Sequence, residues 1–289
     1  MGFRTIVVGE HCKLSYQNNH LIYRTSHKKE VIFLPEIDLL FLETADISIT
    51  TMLLSKLISE NVGVIFCDEK RLPASQLVPY YGRHDTTLQI QKQMSWEGAV
   101  KDQAWVEVLQ QKIRNQGNLL YRFLFLEKGE SIHGLLKGLE PKDPSNREGH
   151  AARILFNTLY GNAFNREQEN DINAGLNYGY TLVLSLFARE ISKCGCLTQL
   201  GVNHTNQFND FNLASDLMEP FRVLVDEIVY EHRSHAFPII KRHLFSLFTK
   251  TYPFGGADMF LTNIIGQYTR QAVDFLNGSR TSMPVFTYS

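Results

Sequence analysis

The chain is short of several things, and each shortage excludes a class of protein. Cysteine occurs four times, as Cys12, Cys67, Cys194 and Cys196, too few and too scattered over 289 residues for a disulfide framework. Cys194-Gly195-Cys196 has no second pair to complete a metal or redox motif, and reads as two reduced thiols at a helix end. No apolar run approaches the roughly 18 residues that a membrane helix needs. The opening residues lack the charged, apolar and small-residue zones of a signal peptide, so the expectation is a soluble, cytoplasmic protein with no membrane partner. Neither sign of charge dominates, with 29 Lys and Arg against 30 Asp and Glu, so no global field marks a nucleic-acid binder. A local basic stripe suffices for phosphates and stays open. Walker, G-x-G-x-x-G, G-x-S-x-G and H-E-x-x-H motifs are all missing, which removes the common nucleotide, hydrolase and zinc-protease readings.

What is present divides in two. Residues 1–82 read as a β-rich domain with one helix: Thr5-Ile6-Val7-Val8 is a strand, and Lys13 to Tyr16 and His20 to Tyr23 flank an Asn18-Asn19 turn as a hairpin. Glu30 to Leu34, Leu39 to Leu42 and Val64 to Cys67 continue the pattern. Thr50-Thr51 caps a helix carrying Leu53, Leu54, Leu57 and Ile58. Residues 83–280 have helical period, including the stripe Trp105, Val108, Leu109, Ile113 and the long run from Asp171 to Lys193, so a larger all-α domain follows and the fold class is α+β. Gly175 and Gly179, four apart on that run, permit a neighbouring backbone to come close. Residues 281–289 have no periodicity and read as a flexible tail.

Three places set acids or imidazole against apolar surface. Asp143-Pro144 starts a helix, with the proline at its first position, on which Glu148 shares a face with Ala151, Ala152, Leu155 and Leu159. A carboxylate turned inward there costs several kcal/mol unless a cation, metal or donor meets it. Arg147, Arg153 or a distant arginine is one answer. Asp216 and Glu219 stand three apart, with Asp226 two turns on, opposite Leu213, Leu217, Leu224 and Ile228. They form either a solvated acidic face or, because Pro220 bends the axis, a pair of which Glu219 turns into a pocket. His204, in a polar loop, is a surface residue or is aimed at Glu148 and Glu219. One nitrogen with two carboxylates suits Mn²⁺ or Mg²⁺ better than structural zinc.

Taken in order, Arg147-Glu148-Gly149 with Ala152-Arg153, Leu176-Asn177-Tyr178-Gly179-Tyr180, the His204 loop and Asp216-Leu217-Met218-Glu219-Pro220-Phe221-Arg222 resemble CRISPR-associated protein one, the endonuclease and integrase that captures new spacers. The resemblance covers nearly the whole chain and is strongest to short members from systems built around a single large RNA-guided nuclease. It implies Glu148, His204 and Glu219 as catalytic residues and ligands of Mg²⁺ or Mn²⁺, with Asp216 an accessory acid. The family commonly uses aspartate where this chain has Glu219, one methylene longer. Asn173 and Asn177 are expected to hold helix and loop together. The implied reaction joins the 3′-hydroxyl ends of a DNA fragment to a CRISPR repeat, and with water as nucleophile the same centre cuts DNA. Arg222, His232, Arg233, Lys241, Arg242 and His243 are candidates to grip DNA, with an ordinary solvated helix face as the equal alternative for the 241–243 cluster. Implied partners are double-stranded DNA, as spacer precursor and repeat, a second copy through the β-rich domain, CRISPR-associated protein two and other adaptation proteins of the same system. Two other readings stay open: a metal-dependent repair nuclease for branched or single-stranded DNA, and a non-catalytic DNA-binding dimer in which Glu148 and Glu219 pair with Arg153 and Arg222.

Overall fold

Alternating apolar positions in the first part of the chain build two four-stranded sheets around one core. The computed structural model describes residues 2, 4–77 and 84–289. The expected boundary at residues 82–83 lies outside them, and the chain divides into units Met1–His84 and Asp85–Ser289.

In the first unit the strands are β1 (Arg4–Val8), β2 (Cys12–Gln17), β3 (His20–Arg24), β4 (Lys29–Phe33), β5 (Ile37–Leu42) and β6 (Ile47–Ile49), then helix α1 (Thr51–Ser59), β7 (Gly63–Cys67) and β8 (Pro73–Gln76). One sheet runs β1-β5-β7-β8 and the other β4-β3-β2-β6. The β2-β3 hairpin turns at Asn18 and Asn19, both at positive φ (46° and 64°), which asparagine tolerates better than most residues and which matches strand twist. Thr50 caps α1 by accepting from the Leu53 amide, and Leu53 and Leu57, one turn apart, seal the core against Leu14, Leu21 and Leu40.

The second unit contains α2 (Thr86–Met94), α3 (Gly98–Arg122), α4 (Leu126–Gly134), α5 (Arg147–Tyr160), α6 (Asp171–Lys193), α7 (Asn212–Leu217), α8 (Arg222–Glu231) and α9 (Phe237–Leu244). Strands β9 (Thr251–Phe254) and β10 (Ala257–Phe260) follow, then α10 (Leu261–Leu276). It is therefore not all-α: β9 and β10 pair antiparallel around Gly255 and Gly256, whose positive φ values (61° and 87°) make the turn. In α6, a Cβ at Gly175 would lie 2.8 Å from Ile240 Cγ2, and one at Gly179 would lie 2.4 Å from Val225 Cγ1. The glycines thus admit side chains of α8 and α9 rather than a backbone.

The C-terminal residues are not a free tail. Met283, Phe286 and Tyr288 are buried. The reason lies on α3, where Gln111, Asn115 and Asn118 present amides along one face. Gln111 donates to the Pro284 carbonyl (3.0 Å) and accepts from the Phe286 amide (2.9 Å), and Asn115 accepts from the Tyr288 amide (3.0 Å). An extended segment has no internal hydrogen bonds, and these amides supply the missing partners. Cys194 and Cys196 are buried at the end of α6.

Candidate active site

Four elements of the helical unit converge on one charged cluster. Glu148 opens α5, and the Asp143 carboxylate fixes it there by accepting from the amides of Arg147 and Glu148 (both 2.9 Å). Pro144 lies three residues before the first residue of this helix instead of occupying that position, because Asn146 takes a left-handed conformation (φ 49°) at the cap. Pro220 interrupts the segment between α7 and α8, so Glu219, Pro220 and Phe221 form a single 3₁₀ turn. That turn is wholly buried, so Asp216 and Glu219 do not form a solvated face.

Between the two glutamates lies Lys112 of α3, whose Nζ is 2.6 Å from Glu148 Oε1 and 2.6 Å from Glu219 Oε2. The Glu219 oxygen is fully buried and the ammonium meets it off the line of a good hydrogen bond. On its other oxygen, Oε1, Glu219 accepts from Arg222 Nε at 2.9 Å. Burial pushes the Glu219 carboxyl up, but Arg222 and Lys112 outweigh it and hold it below the ordinary carboxylate range. Burial equally pushes the Lys112 ammonium down, and Glu219 and Glu148 outweigh that, holding it above ordinary lysine. Glu148 is a third exposed at its side chain, so the cluster opens to solvent on that side.

His204 is built in by Asp216. This carboxylate, fully buried, accepts from the amides of Val202 (2.6 Å) and Asn203 (3.0 Å) through Oδ2. Through Oδ1 it accepts from the His204 amide (3.1 Å) and meets His204 Nδ1 at 2.5 Å. With Asp216 acting as an acceptor throughout, Nδ1 carries the proton and Nε2 is the free nitrogen. Gly201 is required here, since a Cβ would fall 2.4 Å from the His204 carbonyl oxygen and 2.7 Å from Asp216 Oδ2. The hydrogen bond to Asp216 raises the imidazole above its ordinary value against the effect of burial, and Glu219 and Glu148 add to the rise. Trp105 meets the ring edge-on at 5.7 Å. A cleft of about 480 Å³ lies beside His204, lined in part by Gln93, Trp96, Gln199 and Asn212.

The donor set suits a hard divalent ion: two carboxylates converge on one cationic point, and one of their oxygens is buried without a well-formed hydrogen bond. Among the described residues no three acidic, imidazole or thiol groups close into a complete ligand cage, because Lys112 stands between the glutamates and His204 faces Asp216.

The remaining expected residues separate. Arg222 is committed to Glu219 and stacks on Tyr180, 4.6 Å from the ring centroid. Arg233 lies over Tyr230 at 4.0 Å, Lys241 is 4.7 Å from the Tyr178 ring centroid, and His243 stacks on His232 at 3.6 Å, with Arg242 exposed beside it. Asn173 and Asn177 accept from the Arg166 guanidinium (2.5 and 2.6 Å), and Asn173 also donates to the carbonyls of Asn165 and Gln168, so both tie α6 to the preceding loop. Lys112 was not foreseen, although it lies three, four and seven residues after Leu109, Val108 and Trp105, on the apolar stripe itself. Asp226, fully buried, accepts from the Tyr180 hydroxyl, and burial pushes its carboxyl up to about 6 against that bond and the pull of Arg222 and Arg166.

Comparison with known proteins bears on this cluster. The family model for CRISPR associated protein Cas1 matches residues 5–235. A CRISPR-associated endonuclease Cas1 from Neisseria meningitidis serogroup C is 32% identical over 255 residues, spanning 84% of this chain and 82% of the relative. One from Thermus thermophilus is 30% identical over 130 residues, 41% of each. Among solved structures, a casposase bound to integration product superposes with a TM-score of 0.71 at 18% identity, over 98% of this chain and 93% of the other. A chain of a Cas6-RT-Cas1–Cas2 complex gives 0.73 at 17% identity over 98% of this chain, which spans 36% of that one. The two structures are similar to this chain in fold.

Proposed function

Because this chain belongs to the CRISPR-associated Cas1 family, endonucleases and integrases of spacer acquisition, we propose that its charged cluster is the centre for cutting and rejoining DNA. The observation that carries the reading is the convergence of Glu148 and Glu219 on one cationic point 2.6 Å from each. In this reading Glu148, His204 and Glu219 hold Mg²⁺ or Mn²⁺. Such an ion offsets charge that builds on phosphate oxygens and favours the deprotonated nucleophile.

This chain's own residues then divide the work. Arg222 keeps Glu219 ionised at depth, so its charge serves the site and not a DNA backbone. Asp216 fixes the His204 tautomer and aims Nε2 away from itself, which makes it a positioning residue instead of a second acid. Held in that way, His204 serves as a ligand and not as a general base. Arg233, Lys241, Arg242 and His243 are proposed to grip phosphates, which positions DNA without reading its sequence. The partners proposed are double-stranded DNA, CRISPR-associated protein two, a second copy of this chain through its β-rich unit, and other adaptation proteins of the same system. No helix among the described residues is long and apolar enough to cross a membrane, and a cytoplasmic site of action is proposed.

The pairing of Glu219 with Arg222 is what the scaffold reading requires, so the test must separate it from catalysis. A branched DNA mimicking a half-integrated spacer is incubated with the protein and Mn²⁺ or Mg²⁺, beside Glu148→Ala, His204→Ala and Glu219→Ala. Release of the branch with resealing of the host strand, lost in all three variants, is expected. Cleavage without resealing would favour a nuclease alone, and no ion-dependent product from folded protein would favour a scaffold.

A further inference from the structure

Lys112 occupies the place where the ion of the proposed reading belongs. Its Nζ stands 2.6 Å from one oxygen of each glutamate, and its side chain is nine-tenths buried. Magnesium sits about 2.0–2.1 Å from carboxylate oxygens. An ion held by the same two oxygens would stand against the ammonium, like charge to like, so the two cations compete for the glutamates. Nor can the lysine simply be spared. Glu219 is buried, and its partners Arg222 and Lys112 each claim a different one of its oxygens. Removing the nearer cation with nothing in its place would leave two converging carboxylates facing one another with little water between them. A lysine suits such a post because its charge rides on a flexible four-carbon stem and can leave by rotamer changes, which a forked guanidinium held by two oxygens does less readily.

We propose that Lys112 is an internal stand-in cation: it holds Glu148 and Glu219 together in the ion-free protein and must withdraw from both when a divalent ion binds. This rests on the metal-site reading above and adds to it a residue that sets how tightly the ion is held. The ion's apparent affinity is lowered by the work of displacing the ammonium, and the empty site is kept folded by the same contact.

The test uses the full chain and Mn²⁺ alone, titrated by calorimetry into wild type, Lys112→Met, Lys112→Gln and Glu219→Gln, with a melting curve for each at zero and saturating ion. Lys112→Gln covers the case in which the methionine variant does not fold, since its amide still offers hydrogen bonds to both carboxylates. The neutral variants are expected to bind Mn²⁺ at least tenfold tighter than wild type. They should also melt lower than wild type without ion and regain the difference with it. Affinity in the Lys112 variants equal to or weaker than wild type, while wild type binds and Glu219→Gln does not, would overturn the stand-in role and leave the metal site intact. Identical Mn²⁺ titrations for wild type and Glu219→Gln would overturn the metal site itself, and the stand-in role with it.

Discussion

Replacing Phe286 by alanine tests whether the C-terminal segment is part of the core that carries the candidate site. Phe286 is 1% exposed and lies flat on Phe221, ring centroids 4.1 Å apart. Phe221 is the last residue of the turn that carries Glu219, and it meets Phe187 and Tyr268 edge-on at 5.2 and 5.1 Å. Asn115 joins the two segments by donating to both the Pro220 carbonyl (2.9 Å) and the Phe286 carbonyl (3.1 Å). Truncating a buried phenylalanine costs about 3–5 kcal/mol, stacking included. For a unit of this size each kcal/mol lowers Tm by about 2–4 °C, so a fall of roughly 10 °C is expected. Both tryptophans, Trp96 and Trp105, lie in the helical unit, so their fluorescence during urea unfolding reports on that unit alone. A loss below about 1 kcal/mol with an unchanged m-value would refute the reasoning, because a packed ring of this size cannot leave so cheaply.

Three further perturbations follow from the same geometry. Asp226 is raised from 3.8 to about 6, so the folded state binds its proton more tightly than the unfolded chain; stability is lost as pH rises through that window, by about 3 kcal/mol in all above it. Asp226→Asn should therefore unfold at higher urea than wild type at pH 7.5 and lose its advantage near pH 4, and a gap that does not narrow as pH falls would contradict this. Asp216→Asn removes the charge that fixes His204 and should cut ion-dependent cleavage about 10–100-fold, with a matching loss in Mn²⁺ affinity; unchanged Mn²⁺ binding would show that the imbedded carboxylate does not orient the ring. Gly179→Ala places a methyl 2.4 Å from Val225 and should destabilise the helical unit by about 1–3 kcal/mol, whereas a melting curve that overlays wild type would mean that α6 and α8 pack more loosely than described.

How much of this was readable beforehand depends on how far each signal travels along the chain. Strands β1 to β5, β7 and α1 were legible because alternation, the Asn18-Asn19 turn and the Thr50 cap act over a few residues. Short β6 and β8 carry too few residues to show a period, and β9 contains Pro253, so the hairpin's Gly255-Gly256 turn stood without recognisable flanks. The tail misled for a related reason: an extended segment has no period of its own, and what orders it is a row of amides on α3, some 170 residues away. In the site, the acids and the histidine stood out because ionisable groups at apolar positions are costly. Arg222 was legible as the partner of Glu219, three residues away, but for Glu148 adjacency in sequence pointed to Arg147 and Arg153, yet Arg147 is spent on Ser145 and the Leu135 carbonyl and it is α3 that supplies the cation. The same cost argument applies to that cation: a lysine on the stripe of Trp105, Val108 and Leu109 is as expensive to bury as Glu148, so the stripe itself demanded an acid on a neighbouring element. A charge of one sign on an apolar face calls for its opposite on another, which limits the partners of Lys112 to acids on buried faces, Glu148 and Glu219 among them. Asp226 and Glu227 meet the same condition, and only the packing of α3 against α5 and the Glu219 turn decides between them.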